Sequence, residues 1–222
     1  MMDLALFDLD HTLLPLDSDY EWGRFLARIG AVDAEHQQRE NDRFYRDYQA
    51  GRLDIQAFLA FQLAPLAAHP PAQLRRWHDQ YMAEVIEPAL RPAALALVER
   101  HRGQGDLCVI ITSTNDFVTG PIAPRFGIEH LIATRVGRNG EGYTGLAEGT
   151  PSFREGKITR LDQWLADRGT ALSAFPRSTF YSDSANDLPL LERVTDPVAT
   201  NPDDRLASVA RERGWPILSL FA

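Results

Sequence analysis

Near the N-terminus, Asp8-Leu9-Asp10-His11-Thr12 places two carboxylates two positions apart, directly after the apolar run Leu4–Phe7. That run is too short for a helix and suits a buried strand of a parallel sheet. The C-terminal ends of such strands are where open α/β sheets assemble their sites. A carboxylate there can act as a nucleophile or a proton carrier, and oxygen-rich acidic sites suit a hard cation. The plainer reading is a pair of loop aspartates that turn or cap the chain. Two further apolar runs end in polar residues. Thr112-Ser113 follows residues 109–111, and Asp183 comes soon after Phe180-Tyr181. Lys157 lies at the start of the helical stretch before the second of these.

This set, in this order, resembles the haloacid dehalogenase superfamily of aspartate-nucleophile phosphatases, and the resemblance covers the whole chain. Its four motifs correspond to FDLDHTLL, the hydroxyl in VIITSTN, Lys157 in REGKITRL, and YSDSANDLPLL. The resemblance implies an α/β fold: a Rossmann-like, doubly wound parallel sheet with an inserted helical cap domain. The cap is of the C1 type, in the branch (subfamily IB) that includes phosphoserine phosphatase. It also implies a small phosphate ester as substrate and Mg2+ as cofactor. Asp8 is then the nucleophile. Asp8 and Asp183 bind the metal through their side chains, and Asp10 through its carbonyl. The Asp10 side chain protonates the leaving oxygen and later takes a proton from the attacking water. Thr112 and Lys157 bind the phosphoryl oxygens, assisted by the backbone N–H of Ser113. Asp187 holds metal-bound water or orients Lys157, and Asn186 reaches the phosphate or fixes its loop. Thr112 and Ser113 both qualify as the second-motif hydroxyl; counting back from Gly127 favours Thr112. Asn186-Asp187 also reads as an N-terminal cap before Leu188.

The chemistry explains the residue types. Phosphate monoesters hydrolyse extremely slowly in water, because the dianion repels nucleophiles. A carboxylate that forms an acyl-phosphate splits the reaction into two easier steps. Being itself an anion, it needs a cation beside it, and fixed donors aimed at the phosphoryl oxygens supply the rest.

The elements that must position these residues follow from periodicity. After the first strand come four helical patterns. Ser18, with Glu21 three residues on, reads as a capping box opening a helix that Gly30 closes. Residues 34–50 form a polar helix ended by Gly51. Asp54 caps a third over 55–63, and Pro70-Pro71 open a fourth with Leu74, Trp77, Tyr81 and Val85 on one face, with Pro88 and Pro92 punctuating the way out. Beyond residue 92, helices are expected at 93–102, 155–168, 188–192 and 203–213, with a helical stretch at 117–126. Strands are expected at 107–111, 131–135 and 179–181, with apolar stretches at 197–199 and 215–220. This alternation means a parallel sheet covered on both faces. The expected organisation is a core domain of residues 1–14 and 89–222, with a cap of residues 15–88.

Composition narrows the classes. The 222 residues carry a net charge of −8, with 44% hydrophobic and 24% charged residues, which excludes a disordered tail. Such acidity with no basic run argues against nucleic acid and anionic membranes as partners. The single cysteine, Cys108, excludes an intrachain disulfide framework and reads as a small buried hydrophobe. The N-terminus lacks the basic region of a signal peptide and no stretch is long enough to span a membrane, so a cytoplasmic protein is expected. Nothing favours a monomer over a homodimer. Residues 140–145 match G-x-G-x-x-G by letter, but they begin with a hairpin turn and run into no helix, so they are no dinucleotide loop.

The stretch LDSDYEWGRFL carries Asp17, Asp19 and Glu21. Asp17 stands nine residues after Asp8, the place at which phosphoserine phosphatases carry the acid that reads the substrate's ammonium. Asp19 and Glu21 read as helix N-terminal acids. Arg43 and Arg46 are available for a substrate carboxylate, but nothing marks either. The wording of the cap, with VIITSTNDFVTGPIA and RGWPI, is similar to the bacterial histidinol-phosphatases of the superfamily. Their substrate has an ammonium and an imidazole but no carboxylate. Phosphoserine or another small phosphorylated amine or sugar is the alternative. From another class, a phospho-acceptor regulatory protein also groups acids, a hydroxyl and a lysine at a sheet edge, but needs neither a second carboxylate at Asp10 nor a cap.

Overall fold

The computed structural model describes residues 2–221. Among these, seven strands form one sheet: β1 Leu4–Phe7, β2 Leu107–Asn115, β3 His130–Asn139, β4 Gly142–Glu148, β5 Ser178–Ser182, β6 Asp196–Thr200 and β7 Ile217–Leu218. Their order is β4-β3-β2-β1-β5-β6-β7, and every neighbouring pair is parallel except β3–β4. β1 is central, and its side chains alternate between two cores. Ala5 and Phe7 join Cys108 and Ile110 on one face, while Leu4 and Leu6 join Val109 and Ile111 on the other. Burial on both faces is why these strands read as unbroken apolar runs. Cys108 is one of these core side chains, and burial first, then Asp106, pushes its thiol up to about 11.

Between β1 and β2 lie α1 Ser18–Arg28, α2 Ala34–Gln49, α3 Ile55–Ala68, α4 Pro71–Tyr81 and the short α5 Glu87–Ala89, followed by α6 Pro92–Gln104. The remaining helices are α7 Asp116–Thr119, α8 Glu155–Ala166, α9 Leu188–Leu191 and α10 Asp204–Arg213. Trp22, Phe25 and Leu26 of α1, with Tyr81, Met82 and Ile86, belong to the same core cluster as Phe7. Both ends of the helical segment are therefore anchored in the sheet's own core.

Four local expectations are corrected. The N-cap of α1 is Asp17, not Ser18: Asp17 Oδ1 accepts the amides of Asp19 (3.0 Å) and Tyr20 (2.9 Å). The Ser18 hydroxyl has no partner, and Glu21 bonds Arg24 instead of closing a capping box. α3 continues past residue 63 and through Pro65, because Leu63 and Leu66 bury against Val136 and Leu74. Tertiary burial here outweighs the loss of one backbone donor. α4 passes through a wider π turn, Met82–Ile86, directly into α5, so Pro88 lies inside a continuous helical run. Finally, β4 pairs antiparallel with β3 in the stretch read only as turn and loop. Its alternation is hidden by glycines and by the exposed Leu146, but Gly145 has a reason. It sits at φ +75°, and a Cβ there would come 2.9 Å from Ala67 of α3. The hairpin is the platform on which α3 rests.

Candidate active site

The parallel register brings three strand ends together. Phe7 pairs with Ile110 of β2 and with Tyr181 of β5, and the Asp8 amide donates to Tyr181 O at 2.9 Å. Asp8 and Asp183, just past the ends of β1 and β5, and Thr112, within β2, therefore lie at the same end of the sheet. Lys157, in the first turn of α8, reaches the same place. Its Nζ donates to Asp8 Oδ1 at 3.0 Å and to Asp187 Oδ2 at 2.7 Å, with all three side chains buried. Gly156 makes this approach possible, since a Cβ there would lie 2.0 Å from Pro151 O. Ser182 Oγ also donates to Asp187 Oδ2 at 2.7 Å, which fixes that carboxylate against Lys157.

Burial opposes the Lys157 ammonium, yet Asp187 and Asp8 together hold its pKa above the ordinary value. Burial pushes Asp8 up to about 7, with Lys157 working against the rise and Asp187 and Asp10 adding to it. Asp183 is raised well above the carboxylate range, first by burial and then by Asp8 and Asp187. One lysine does not balance three buried carboxylates. Among the described residues no group of three or more His, Cys, Asp or Glu side chains is arranged to hold a metal alone. The Asp8 and Asp183 carboxylates, with the Asp10 carbonyl that the family resemblance adds, would make only part of an oxygen shell. That fits Mg2+, a hard cation that keeps several waters. The residues that could hold it are Asp8, Asp183 and Asp10.

The loop from Asp8 to Leu14 is tightly turned. Leu9 O accepts the amides of Thr12, Leu13 and Leu14, and His11 takes φ 57°. Asn201 Nδ2 donates to His11 O (2.9 Å) and Thr12 O (3.3 Å), and Thr12 Oγ1 donates to Asp183 Oδ1 at 3.0 Å. The Asp10 carboxylate is held at both oxygens: Ser18 N donates to Oδ1 (2.8 Å) and Thr114 Oγ1 to Oδ2 (2.7 Å). Two hydrogen bonds fix its rotamer at the edge of a cavity.

That cavity is lined by Asp8, Asp10, Ser113 and Thr114 on the sheet side. The helical segment contributes Asp17, Asp19, Gln62 and the rings of Phe44, Tyr45, Tyr48 and Phe58. Burial and then Asp10 push Asp17 up to about 6, against the two amides it accepts. Thr112 lies just beneath, buried, with its Oγ1 accepting the Thr114 amide at 3.2 Å. Asn186 lines the adjoining cavity beside Asp183. Its Oδ1 accepts from Arg154 (3.2 and 3.1 Å) and its Nδ2 donates to Tyr48 O (3.4 Å). Arg154, at φ 51°, also donates to Gly51 O, so this cluster ties the end of α2 to the sheet edge.

Thr12, Thr114 and Ser182 are functional neighbours that sequence reasoning missed. Thr114 carried a usable signal, because it lies two residues after Thr112 and strand side chains repeat every second residue.

The comparisons agree with this geometry. Residues 5–192 match the family model described as haloacid dehalogenase-like hydrolase. The histidinol-phosphatase of Neisseria meningitidis serogroup C (strain 8013) is 50% identical over 220 residues, covering 99% of each chain. A phosphoserine phosphatase of Mycobacterium tuberculosis is 31% identical over 227 residues, covering 96% of this chain and 69% of that one. A crystal structure of a protein of unknown function from Bordetella pertussis Tohama I is 52% identical with a TM-score of 0.95, covering 100% of both. A substrate-bound phosphoserine phosphatase shares the fold at 16% identity, with a TM-score of 0.70, covering 98% of this chain and 93% of that one. The chain belongs to the haloacid dehalogenase-like hydrolases and is a phosphatase among them. No helix among the described residues is long and apolar enough to cross a membrane.

Proposed function

We propose that this phosphatase is a Mg2+-dependent phosphomonoesterase that works through a phospho-Asp8 intermediate, with L-histidinol phosphate as its substrate. The observation that carries the mechanism is buried Asp8, bridged by Lys157 to Asp187, beside an Asp10 whose carboxylate is held at both oxygens. Asp8 attacks phosphorus and the ester oxygen leaves with a proton from Asp10. Water then attacks the acyl-phosphate, Asp10 takes its proton, and inorganic phosphate departs with Asp8 restored. The Lys157 ammonium, the Thr112 hydroxyl and the Ser113 amide hold the phosphoryl oxygens. Asp8, Asp183 and the Asp10 carbonyl would hold Mg2+, which when bound would supply the positive charge that lets a dianion approach a carboxylate. Asp187 positions Lys157. We assign residues 15–88 as the cap over a core of residues 1–14 and 89–222.

The substrate rests on the acidic, aromatic cavity, together with the identity to a histidinol-phosphatase. Among the described residues the cavity is lined by no arginine or lysine. Phosphoserine would bring a carboxylate with no partner there, and Arg43 lies half exposed, ion-paired to Glu40. This disfavours phosphoserine as the second reading. Phosphate release from p-nitrophenyl phosphate with Mg2+ and with EDTA tests the reaction class. Activity is expected only with the metal, and equal rates would remove the metal-assisted mechanism.

A further inference from the structure

Asp19 is an acidic residue of the cavity that the reaction scheme leaves unused. The first turn of α1 carries it inward, and it is 2% exposed. Asn115 Nδ2 donates to its Oδ1 at 3.1 Å. That amide is itself fixed, since Asn115 Oδ1 accepts from Val118 N at 3.1 Å. Asp19 Oδ2 is buried with no partner. An unpaired buried carboxylate oxygen is costly, and native folds keep one where a ligand completes it. Burial, then Asp17 and Asp10, already push the Asp19 carboxyl well above its usual range. Asp17 is differently placed: its Oδ1 is filled by the two amides it caps, and its half-buried carboxylate leaves no oxygen that is both buried and partnerless. The described lining residues include no lysine or arginine, and His11 is their one basic side chain, so the ligand is the source of any permanent organic cation at Asp19.

We propose that Asp19 is the specificity-determining residue that takes the substrate's ammonium group, with Phe44, Phe58, Tyr45 and Gln62 enclosing the remainder of the organic group. The inference rests on the proposed substrate class and deepens it. An ammonium donates to the free oxygen, and the aromatic faces favour both a cation and a flat ring.

The test compares histidinol phosphate with the same ester lacking the amine, on wild type, Asp19→Asn and Asp17→Asn. Asparagine in place of Asp19 keeps an oxygen for Asn115, so the local fold is preserved. Wild type should prefer the amine ester. Asp19→Asn should reduce that preference about 30-fold through KM, which at 1.4 kcal/mol per tenfold is about 2 kcal/mol. Asp17→Asn should shift it by less than about threefold, since asparagine caps as well as aspartate. Equal loss on both esters in Asp19→Asn, or a selective loss only in Asp17→Asn, overturns the assignment while the substrate class stands. A wild type indifferent to the amine overturns both.

Discussion

Replacing Lys157 by methionine removes the one cation among the described residues that reaches both Asp8 and Asp187. The side chain keeps its length but the ammonium goes, and with it bonds of 3.0 and 2.7 Å. The side chains of Lys157, Asp8 and Asp187 are 3%, 8% and 4% exposed, so water cannot replace the lost donor. Breaking a buried pair by removing one partner costs about 3–5 kcal/mol, whereas an exposed pair is worth under about 1 kcal/mol. The exposed Arg193–Asp162 pair, at 42% and 48%, is the natural control. The deficit should depend on pH, and its sign can be worked out. Asp8 in the fold already titrates at about 7, above its ordinary value of 3.8, so the folded state binds the extra proton and loses stability as pH rises through that window. Without Lys157, Asp8 holds its proton to higher pH still. The deficit relative to wild type therefore grows with pH, at up to about 1.4 kcal/mol per unit for that carboxyl. Urea unfolding in EDTA, followed by tryptophan fluorescence, should give a loss of about 3–5 kcal/mol at pH 8. At pH 5 it should be smaller by at least about 1 kcal/mol. A loss below about 1 kcal/mol, or one equal at both pH values, would refute the reasoning.

Asp8→Asn should lower kcat by at least about 10³-fold with an unchanged circular dichroism spectrum, because the nucleophile is lost and the shape is kept. Thr114→Val removes the hydroxyl 2.7 Å from Asp10 Oδ2; kcat should fall about 10²-fold with KM moving less than about threefold, read by steady-state kinetics. Gly156→Ala puts a methyl against Pro151 O, and urea midpoints should show a loss of about 1–3 kcal/mol together with reduced kcat as Lys157 shifts.

The sheet was legible where the signal is local. Runs buried on both faces announce parallel strands, and the polar residues that end them, Asp8, Thr112 and Asp183, mark the working edge. β4 was not legible, because its Gly145 answers to α3 across the fold and not to strand propensity. The roles of Asp17 and Asp19 illustrate the same limit. Spacing from Asp8 gives Asp17 the place of an ammonium reader, and helix logic gives Asp19 the place of a mere N-terminal acid. In the structure Asp17 caps the helix and also lines the cavity, while Asp19 keeps a buried oxygen without a partner. One residue of offset in a helix start rotates a side chain by about 100°, which sequence reasoning does not resolve. Thr12 and Thr114 stood inside quoted motifs, but their roles were not legible, since each acts through a partner brought close only by the sheet: Asp183 and Asp10.

The central claim is a Mg2+-dependent phosphatase whose acidic, arginine-free cavity selects a phosphorylated amine without a carboxylate. Its most direct test is kcat/KM measured side by side on histidinol phosphate, phosphoserine and a sugar phosphate, with Mg2+. The expected result is a preference for histidinol phosphate of at least about 10²-fold over both others, in line with a carboxylate or a neutral sugar left unpaired in the cavity. Equal or better turnover of phosphoserine would contradict it.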